Sequence, residues 1–198
     1  MKNKIKYILL SLSILQLSVF AQGIDNLQFL LTLTDSSVNS IAKDLSAEKN
    51  YFLNIIAPEE YKLLAERARF AFAQTELNIA DDSTSSNVIS YFVENARIEY
   101  PDVFRDGWFG EYLVERKAEL SGSFLIETRK GKSIAKEFNI TETDSVEYDK
   151  IKQIELASLP FTKGSIPAEP FFSSLWEPII AVGTVVITVV LLFTTRTK

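Results

Sequence analysis

Two apolar segments bracket the chain, and they leave only the region between them free to fold as a water-exposed domain. Residues 1–21 begin with Lys2, Lys4 and Lys6, continue as an uncharged run and end at Ala21. A positive end, an apolar run and a small residue before the cut are the parts of a cleavable export signal. The apolar run, about 14 residues, would reach only about 21 Å as a helix, less than a hydrocarbon core of ~30 Å. We therefore predict a cleaved signal peptide over 1–21.

The second segment, residues 178–195, carries no charge and consists mostly of Ile, Val and Leu. As a helix it would span about 27 Å, which suffices for one membrane crossing. Trp176 stands at the position of an interfacial anchor, and Arg196 and Lys198 follow the segment. Because basic residues favour the cytoplasmic side, this pattern predicts a single-pass protein of the bacterial inner (cytoplasmic) membrane with a cytoplasmic C-terminus.

These two segments define the predicted organisation of the whole chain. A periplasmic domain over 22–157 is followed by a Pro-containing tether over 158–177, the membrane helix over 178–195 and a cytoplasmic tail over 196–198. Without the basic residues of the two flanks, 16 of the 21 Lys and Arg residues remain against 26 acidic ones, a net charge of −10. Such a domain is repelled by nucleic acid.

The composition also limits the chemistry of the domain. The chain has no Cys and no His. Disulfides and zinc sites built on these residues are therefore excluded, and the usual general base is missing. We predict no cofactor and no bound metal.

The spacing of apolar residues predicts a helical half followed by a strand half. Asp35 is expected to cap a helix that runs to about Leu45, whereas residues 27–33 fit both a helical and a strand period. Residues 51–56 read as a buried strand, and Pro58 opens a second helix. The inward stripe of that helix is expected to contain five residues: Tyr61, Leu64, Ala65, Ala68 and Phe72.

Three long strands are predicted next, over 88–100, 111–128 and 133–143, with a reversal at 130–132. Asp144 or Ser145 is expected to cap a last short helix. The predicted fold class is α+β, with two helices packed on a mainly antiparallel sheet (a β-meander) and one C-terminal transmembrane helix. This order of elements is similar to that of small periplasmic α/β modules of bacterial envelope-assembly proteins. The resemblance is one of topology and implies no site residue.

Two local patterns resemble parts of catalytic sites. Residues 133–136 match the Ser-x-x-Lys of penicillin-recognising enzymes, but they lie on a predicted strand and lack the companion motifs. Several carboxylates on adjacent strands could supply the acid and base of a glycosidase: Glu94, Glu99, Glu111, Glu115 and Glu119. A solvated charged face is the competing interpretation, with Arg97, Arg116 and Lys117 as cross-strand partners.

The connection over residues 101–110 is the most distinctive part of the domain. Phe104, Trp108 and Phe109 are large apolar groups in a segment that also contains turn residues. Such groups cover one end of a core in many proteins. They also suit a partner-docking tip, because Trp and Phe are enriched at interfaces. The sequence leaves both interpretations open.

A second candidate contact lies on the predicted membrane helix. Ala181, Thr184 and Thr188 share one side of that helix and form a small, weakly polar stripe. Such stripes allow helices to associate closely in a membrane. The alternative is a lone helix whose Thr hydroxyls bond to their own backbone.

We predict a non-enzymatic, membrane-anchored interaction or assembly module of the bacterial envelope. Its predicted partners are the membrane and other envelope proteins, with no nucleic acid. The alternatives are a carboxylate-dependent hydrolase of cell-wall glycan and a homo-oligomeric subunit of an export or pore complex.

Overall fold

The computed structural model describes residues 24–47, 49–84, 87–105, 110–168 and 176–195. The predicted signal peptide, Trp108, Phe109 and the predicted cytoplasmic tail lie outside these residues. The described part is an α+β fold, as predicted, with a curled mixed sheet and several helices.

The first helix, α1 (Asn26–Lys43), begins earlier than the sequence pattern indicates. Asp25 caps it, since its carboxylate accepts a hydrogen bond of 2.7 Å from the backbone N–H of Gln28. The prediction that Asp35 caps this helix is wrong, because that residue lies in its middle. The ambiguous stretch 27–33 is helical because Phe29, Leu30 and Leu33 extend the buried stripe along the same face. One long apolar stripe therefore decides the start of the helix.

The second helix, α2 (Lys62–Ala73), follows a 3-10 turn at Glu59–Tyr61. Its buried residues include Leu64, Ala68 and Phe72, as predicted. Arg67 donates from Nε to Asp35 Oδ1 at 2.7 Å, and this ion pair joins α2 to α1.

The sheet has six strands: β1 (Asn50–Ile56), β2 (Asn78–Ile79), β3 (Asn87–Glu99), β4 (Val103–Arg105), β5 (Tyr112–Glu127) and β6 (Ser133–Glu147). The strands β3, β5 and β6 form the predicted antiparallel part. β1 instead runs parallel to β3 and to β2. This parallel arrangement is possible because α2 connects β1 to β2 by a crossover.

β4 continues the line of β3 along the same side of β5. β6 occupies the whole opposite side of β5, from Leu113 to Glu127. Consequently β3 and β4 must share the remaining side, and between them the N–H of Glu115 donates to the carbonyl of Asp102. The sheet therefore ends in β2 on one side and in β6 on the other.

The helices α1 and α2 cover one face of the sheet and enclose the core. Residues on β5 alternate between buried and half-buried over nearly its whole length. Five apolar residues on the inner side of β5 are buried: Val114, Ala118, Leu120, Phe124 and Ile126.

β6 is longer than predicted. The proposed helix cap at Asp144 or Ser145 is wrong, since both residues lie within the strand and pair with Arg116 and Glu115. Val146 is buried and keeps the end of β6 on the sheet. A 3-10 turn at Tyr148–Lys150 and a short helix, α3 (Ile151–Ile154), follow directly.

The first part of the predicted tether packs against the domain. Phe161 and Thr162 in the 3-10 turn Pro160–Thr162 are buried. The Phe161 ring meets the edge of Tyr61 with 5.4 Å between the ring centres. The packed part of the chain therefore extends at least to Thr162.

The last helix, α4 (Trp176–Thr195), is 20 residues long, and its described side chains are those of residues 179–194. Among the described residues, no helix combines the length and the apolar content that a membrane crossing requires.

Candidate interaction surfaces

The base of the aromatic turn is the described part of the first candidate surface. Arg105 on β4 stands opposite Tyr112 on β5, and its guanidinium lies 5.0 Å from the centre of the Tyr112 ring. Its Nε also donates to the carbonyl oxygen of Gly110 at 2.9 Å. Phe104 is 40% exposed. Arg105 thus holds the two ends of the turn together, a role that sequence reasoning did not assign to it.

The stripe on α4 shows how its hydroxyl groups are used. Thr184 Oγ1 donates to the carbonyl of Ile180, and Thr188 Oγ1 donates to that of Thr184, both at 2.8 Å. Ala181, Thr184 and Thr188 are all exposed. The hydroxyls therefore donate to backbone carbonyls of their own helix, which is the arrangement expected for a helix without a partner. Association of this helix with another stays a prediction.

The carboxylates on the outer face of the sheet have cross-strand partners. Glu119 accepts a bond of 2.7 Å from Arg97, and Lys117 lies 3.4 Å from Glu99. Glu94 accepts a bond of 2.7 Å from the hydroxyl of Ser123. In the described part of the chain no group of three acidic residues is placed to hold a metal ion. This arrangement is that of a charged, solvated face.

Arg116 lies on the opposite, inner face and is fully buried. The expectation that it serves as a partner on the wet face is wrong. The signal was present in the sequence, because residue 116 continues the inward period of Val114 and Ala118. Its Nε donates to Asp144 Oδ1 at 2.8 Å, and its Nη2 donates to the other carboxylate oxygen. The guanidinium carbon also lies 4.7 Å from the ring centre of Phe29.

The remaining donor of Arg116 reaches the start of α1. Nη1 donates to the carbonyl of Ile24 at 2.8 Å and to Asn26 Oδ1 at 2.9 Å. Asn26 Nδ2 in turn donates to Tyr100 Oη at 2.8 Å and to the carbonyl of Thr162 at 2.7 Å. We call Arg116, Asp144, Asn26, Tyr100 and Thr162 the Arg116 cluster. It joins two strands, a helix start and the C-terminal segment in one network, which is buried except at the Asp144 side chain, where 37% is exposed.

The tyrosines of the inner face are strongly affected by their surroundings. Burial raises the pKa of Tyr100 to about 12, against the opposing effect of the bond with Asn26. Burial likewise raises the pKa of Tyr91 to about 12, although its hydroxyl lies 2.6 Å from that of Ser37. Both phenols are therefore neutral hydrogen-bonding groups at physiological pH.

An open cleft of about 400 Å³ lies beyond the C-terminal end of α1. Apolar side chains of the sheet line it, among them Tyr51, Phe124 and Ile134. Lys136 and Asp44 form an ion pair of 2.9 Å at its rim. These groups can contact apolar matter, and they bring no nucleophile together with a base.

Comparison with known proteins gives only distant likenesses. No family model and no curated protein sequence matches the chain. Among solved structures, a minor lipoprotein from Acinetobacter baumannii is similar at 20% identity and a TM-score of 0.32, over 51% of this chain and 67% of that one. The rare lipoprotein B from Shewanella oneidensis is similar at 13% identity and a TM-score of 0.29, over 48% of this chain and 68% of that one. A Helicobacter pylori protein named as a neuraminyllactose-binding hemagglutinin homolog is similar at 12% identity and a TM-score of 0.34, over 51% of this chain and 66% of that one.

Two of these three structural neighbours are lipoproteins by name. At such identities and scores the likeness supports no inference about a site, a ligand or a partner.

Proposed function

We propose that this protein is a membrane-tethered, non-enzymatic interaction module of a bacterial envelope. Its α+β domain lies on the periplasmic side, residues 178–195 cross the inner membrane once, and the C-terminus is cytoplasmic. The aromatic turn, with Phe104, Trp108 and Phe109, is its partner-docking region, and the partners are other envelope proteins.

The observation that carries the proposal is the exposure of the large apolar side chains along α4. From Ile179 to Phe193 their exposed fractions range from 43% to 75%. A helix of a water-soluble fold buries one apolar stripe and exposes polar residues elsewhere. A helix that exposes large apolar side chains along most of its length needs an apolar surrounding, and a bilayer supplies it.

The charges that flank the helix support the proposed orientation. Glu177 precedes the apolar run, and Arg196 and Lys198 follow it. Basic residues next to a crossing favour the cytoplasmic side.

The docking region is supported by its rigid base. Arg105 fixes both ends of the turn through its hydrogen bond to the Gly110 carbonyl and its contact with the Tyr112 ring, while Phe104 is 40% exposed. Fixing the two ends of a loop reduces the conformational entropy that is lost on binding, which favours affinity.

Protease accessibility tests the topology. In spheroplasts that express the full chain, an added protease should digest the domain and spare the last helix. A tag placed after Lys198 should become accessible only after lysis. Full protection of the domain, or an accessible tag in intact spheroplasts, would overturn the proposed topology.

A pull-down with the full-length protein tests the docking region. Trp108→Ala combined with Phe109→Ala should abolish the capture of envelope proteins while the melting temperature stays within a few degrees of the parent. Leu63→Ala on α2 is a matched control, since Leu63 is also an exposed apolar residue. Equal capture by parent and double variant would contradict the docking role. A large loss of stability would instead place these aromatic rings in the core.

The alternative activity is tested on the same sample. If the protein were a glycan hydrolase, peptidoglycan would be cleaved and the cleavage would be lost on Glu94→Gln or Glu119→Gln. We expect no cleavage, because both carboxylates are bound to neighbouring side chains.

A further inference from the structure

The two edges of the sheet differ greatly in length. β2 contains two residues and β6 contains 15. Natural proteins usually keep exposed edge strands short, because an open strand edge can pair with another chain. Within the described part of the chain, no strand pairs with the second side of β6.

The hydrogen-bond pattern shows which residues of β6 direct their backbone groups to the open side. The N–H of Thr128 donates to the carbonyl of Lys132 at 2.8 Å, directly before the strand begins. Bonded and non-bonded pairs alternate along an antiparallel ladder, and the pairing of β5 with β6 has no bulge. The odd-numbered residues of β6 therefore direct their N–H and C=O groups away from β5.

We propose that β6 pairs with β6 of a second copy of this chain, antiparallel and about a two-fold axis at Ile140. This register follows from the strand itself, because Ile140 is the midpoint of Ser133–Glu147 and only this register pairs all of its residues. An isologous contact of this kind closes as a dimer and joins the two sheets into one.

The occupant is a second copy because β6 is complementary to itself in this register. Lys136, which pairs with Asp44 in its own chain, comes opposite Asp144 of the second copy, which its own Arg116 already binds. Ile134 comes opposite Val146. Ile140 faces its own counterpart on the axis. Unlike charges and apolar pairs directly across strands are stabilising, and like charges are not.

The other pairs contain no conflict. They bring the acidic residues of β6 opposite uncharged ones: Glu137 opposite Thr143, Glu142 opposite Phe138, and Glu147 opposite Ser133. The two remaining kinds of pair are Ala135 with Ser145 and Asn139 with Thr141. A fully overlapped strand without one pair of like charges is therefore available to the dimer.

The strand is held in place before any partner binds. The Phe138 ring stacks on Tyr91 with 5.3 Å between the ring centres and an angle of 17°. It can do so because Gly122 lies beneath it, where an added Cβ would approach the ring to 2.7 Å. Val146 is buried at the far end. Pairing with a second copy thus orders no new segment.

Cysteine crosslinking tests the register in the full-length protein, purified in detergent. The chain has no Cys, so each introduced thiol is unique. Ala135→Cys and Ser145→Cys proteins are prepared separately and then mixed under oxidising conditions. A bonded pair has its Cα atoms about 5.5 Å apart, within the range of a disulfide. The mixture should form crosslinked dimer at more than ten times the level of either protein alone.

The single variants serve as matched controls. Two copies of residue 135 would lie about 34 Å apart, ten residues along the paired strands, which no disulfide spans. Crosslinking of Ala135→Cys alone, or no crosslinking of the mixture, would overturn the proposed dimer. Contact between two α4 helices cannot mimic the result, because the thiols lie on β6.

A backbone variant gives an independent test. Thr141→Pro removes an N–H that faces the open side and spares the ladder to β5. It should abolish crosslinking of the mixed proteins, whereas Thr141→Val should preserve it with an unchanged melting temperature. Crosslinking that survives Thr141→Pro would contradict strand pairing. A monomeric parent that captures only extended segments of other proteins would likewise overturn the self-paired dimer.

Discussion

Arg116 and Arg97 form similar ion pairs on opposite faces of one sheet. On the outer face, Arg97 Nη2 lies 2.7 Å from Glu119, and the Arg97 side chain is 48% exposed. On the inner face, Arg116 donates to Asp144 at 2.8 Å, and its side chain is 0% exposed. Distance alone does not distinguish the two pairs. Their surroundings do.

The two arginines differ in whether water can replace the hydrogen bonds of the guanidinium group when its protein partners are removed. Arg97 can replace its partner by water. Arg116 makes four hydrogen bonds to protein groups, including the carbonyl of Ile24 and Asn26 Oδ1, and it cannot reach water. A buried charge is tolerated only when it is fully hydrogen-bonded, and removing one member leaves others without partners. The inner cluster should therefore contribute strongly to the free energy of unfolding, whereas the outer ion pairs should contribute little.

Arg116→Met gives the largest expected effect. It keeps most of the volume and removes every hydrogen bond of the guanidinium. The free energy of unfolding should fall by roughly 2–4 kcal/mol, because Asn26 Oδ1 and the carbonyl of Ile24 each lose a charged donor at about 1–3 kcal/mol. The Asp144 side chain is 37% exposed and regains water. Urea unfolding of the full-length protein in detergent measures this fall. A loss below about 1 kcal/mol would erase the distinction between the two faces.

Asn26→Ala should have the second largest effect. Its amide joins Arg116, Tyr100 and the carbonyl of Thr162, so its removal leaves buried polar groups without a partner. Each such group costs about 1–3 kcal/mol, and some relaxation should hold the total near that range. Amide hydrogen exchange at Thr162 should also become faster, because the C-terminal segment loses its bond to α1. Unchanged exchange there would show that the segment is held by its other contacts, such as the packing of Phe161, and not by Asn26.

The same contrast explains what the sequence could and could not predict. The outward Glu and Lys residues of β5 and the inward Val114, Ala118 and Leu120 follow directly from a period of two. Arg116 also lies on the inward period, but its charge led us to predict that it is on the solvated face. Its true position depends on Asn26 and Asp144, which are 90 and 28 residues away along the chain. Such partners become visible only when the fold brings them together.

Asp144 and Asp35 illustrate the related limit for helix boundaries. Both are good capping residues by local preference. Tertiary contacts instead use Asp144 for Arg116 and Asp35 for Arg67. For the candidate surfaces, the residue types were visible in the sequence. The hydrogen bond from Arg105 to the Gly110 carbonyl could not be predicted, since it depends on the pairing of β4 with β5.

Tyr91 extends the comparison to alkaline pH. Its pKa is raised to about 12 in the folded protein, mainly by burial, against about 10 in the unfolded chain. The folded state therefore holds its proton more tightly, and the associated stability is present below pH 10. It is lost as the pH rises from about 10 through about 12. At pH 11 the loss should be about 1.4 kcal/mol, since one pKa unit corresponds to that energy.

Tyr91→Phe isolates this contribution. The variant loses the bond to Ser37, so it should be less stable than the parent at pH 8. The gap between variant and parent should narrow as the pH rises to 11, because only the parent has this phenol to ionise. Urea unfolding at several pH values measures the gap. A gap that is constant from pH 8 to pH 11 would contradict the raised pKa.

Arg97→Ala is the smallest expected effect and the control for all the others. Surface ion pairs contribute about 0.2–1 kcal/mol, because water and side-chain entropy offset most of the attraction. The loss should lie near the top of this range, since the Glu119 side chain is only 13% exposed. Lys117 also lies 3.8 Å from Glu119, so the carboxylate keeps a positive neighbour when Arg97 is removed. Salt should reduce the effect further, since the Debye length falls to about 3 Å at 1 M. At 0.05 M salt, Arg97→Ala should therefore show a small loss in the free energy of unfolding, and this loss should vanish at 1 M salt. The loss from Arg116→Met should persist at both concentrations. A salt-independent loss of several kcal/mol from Arg97→Ala would mean that the outer face also contributes a structural cluster.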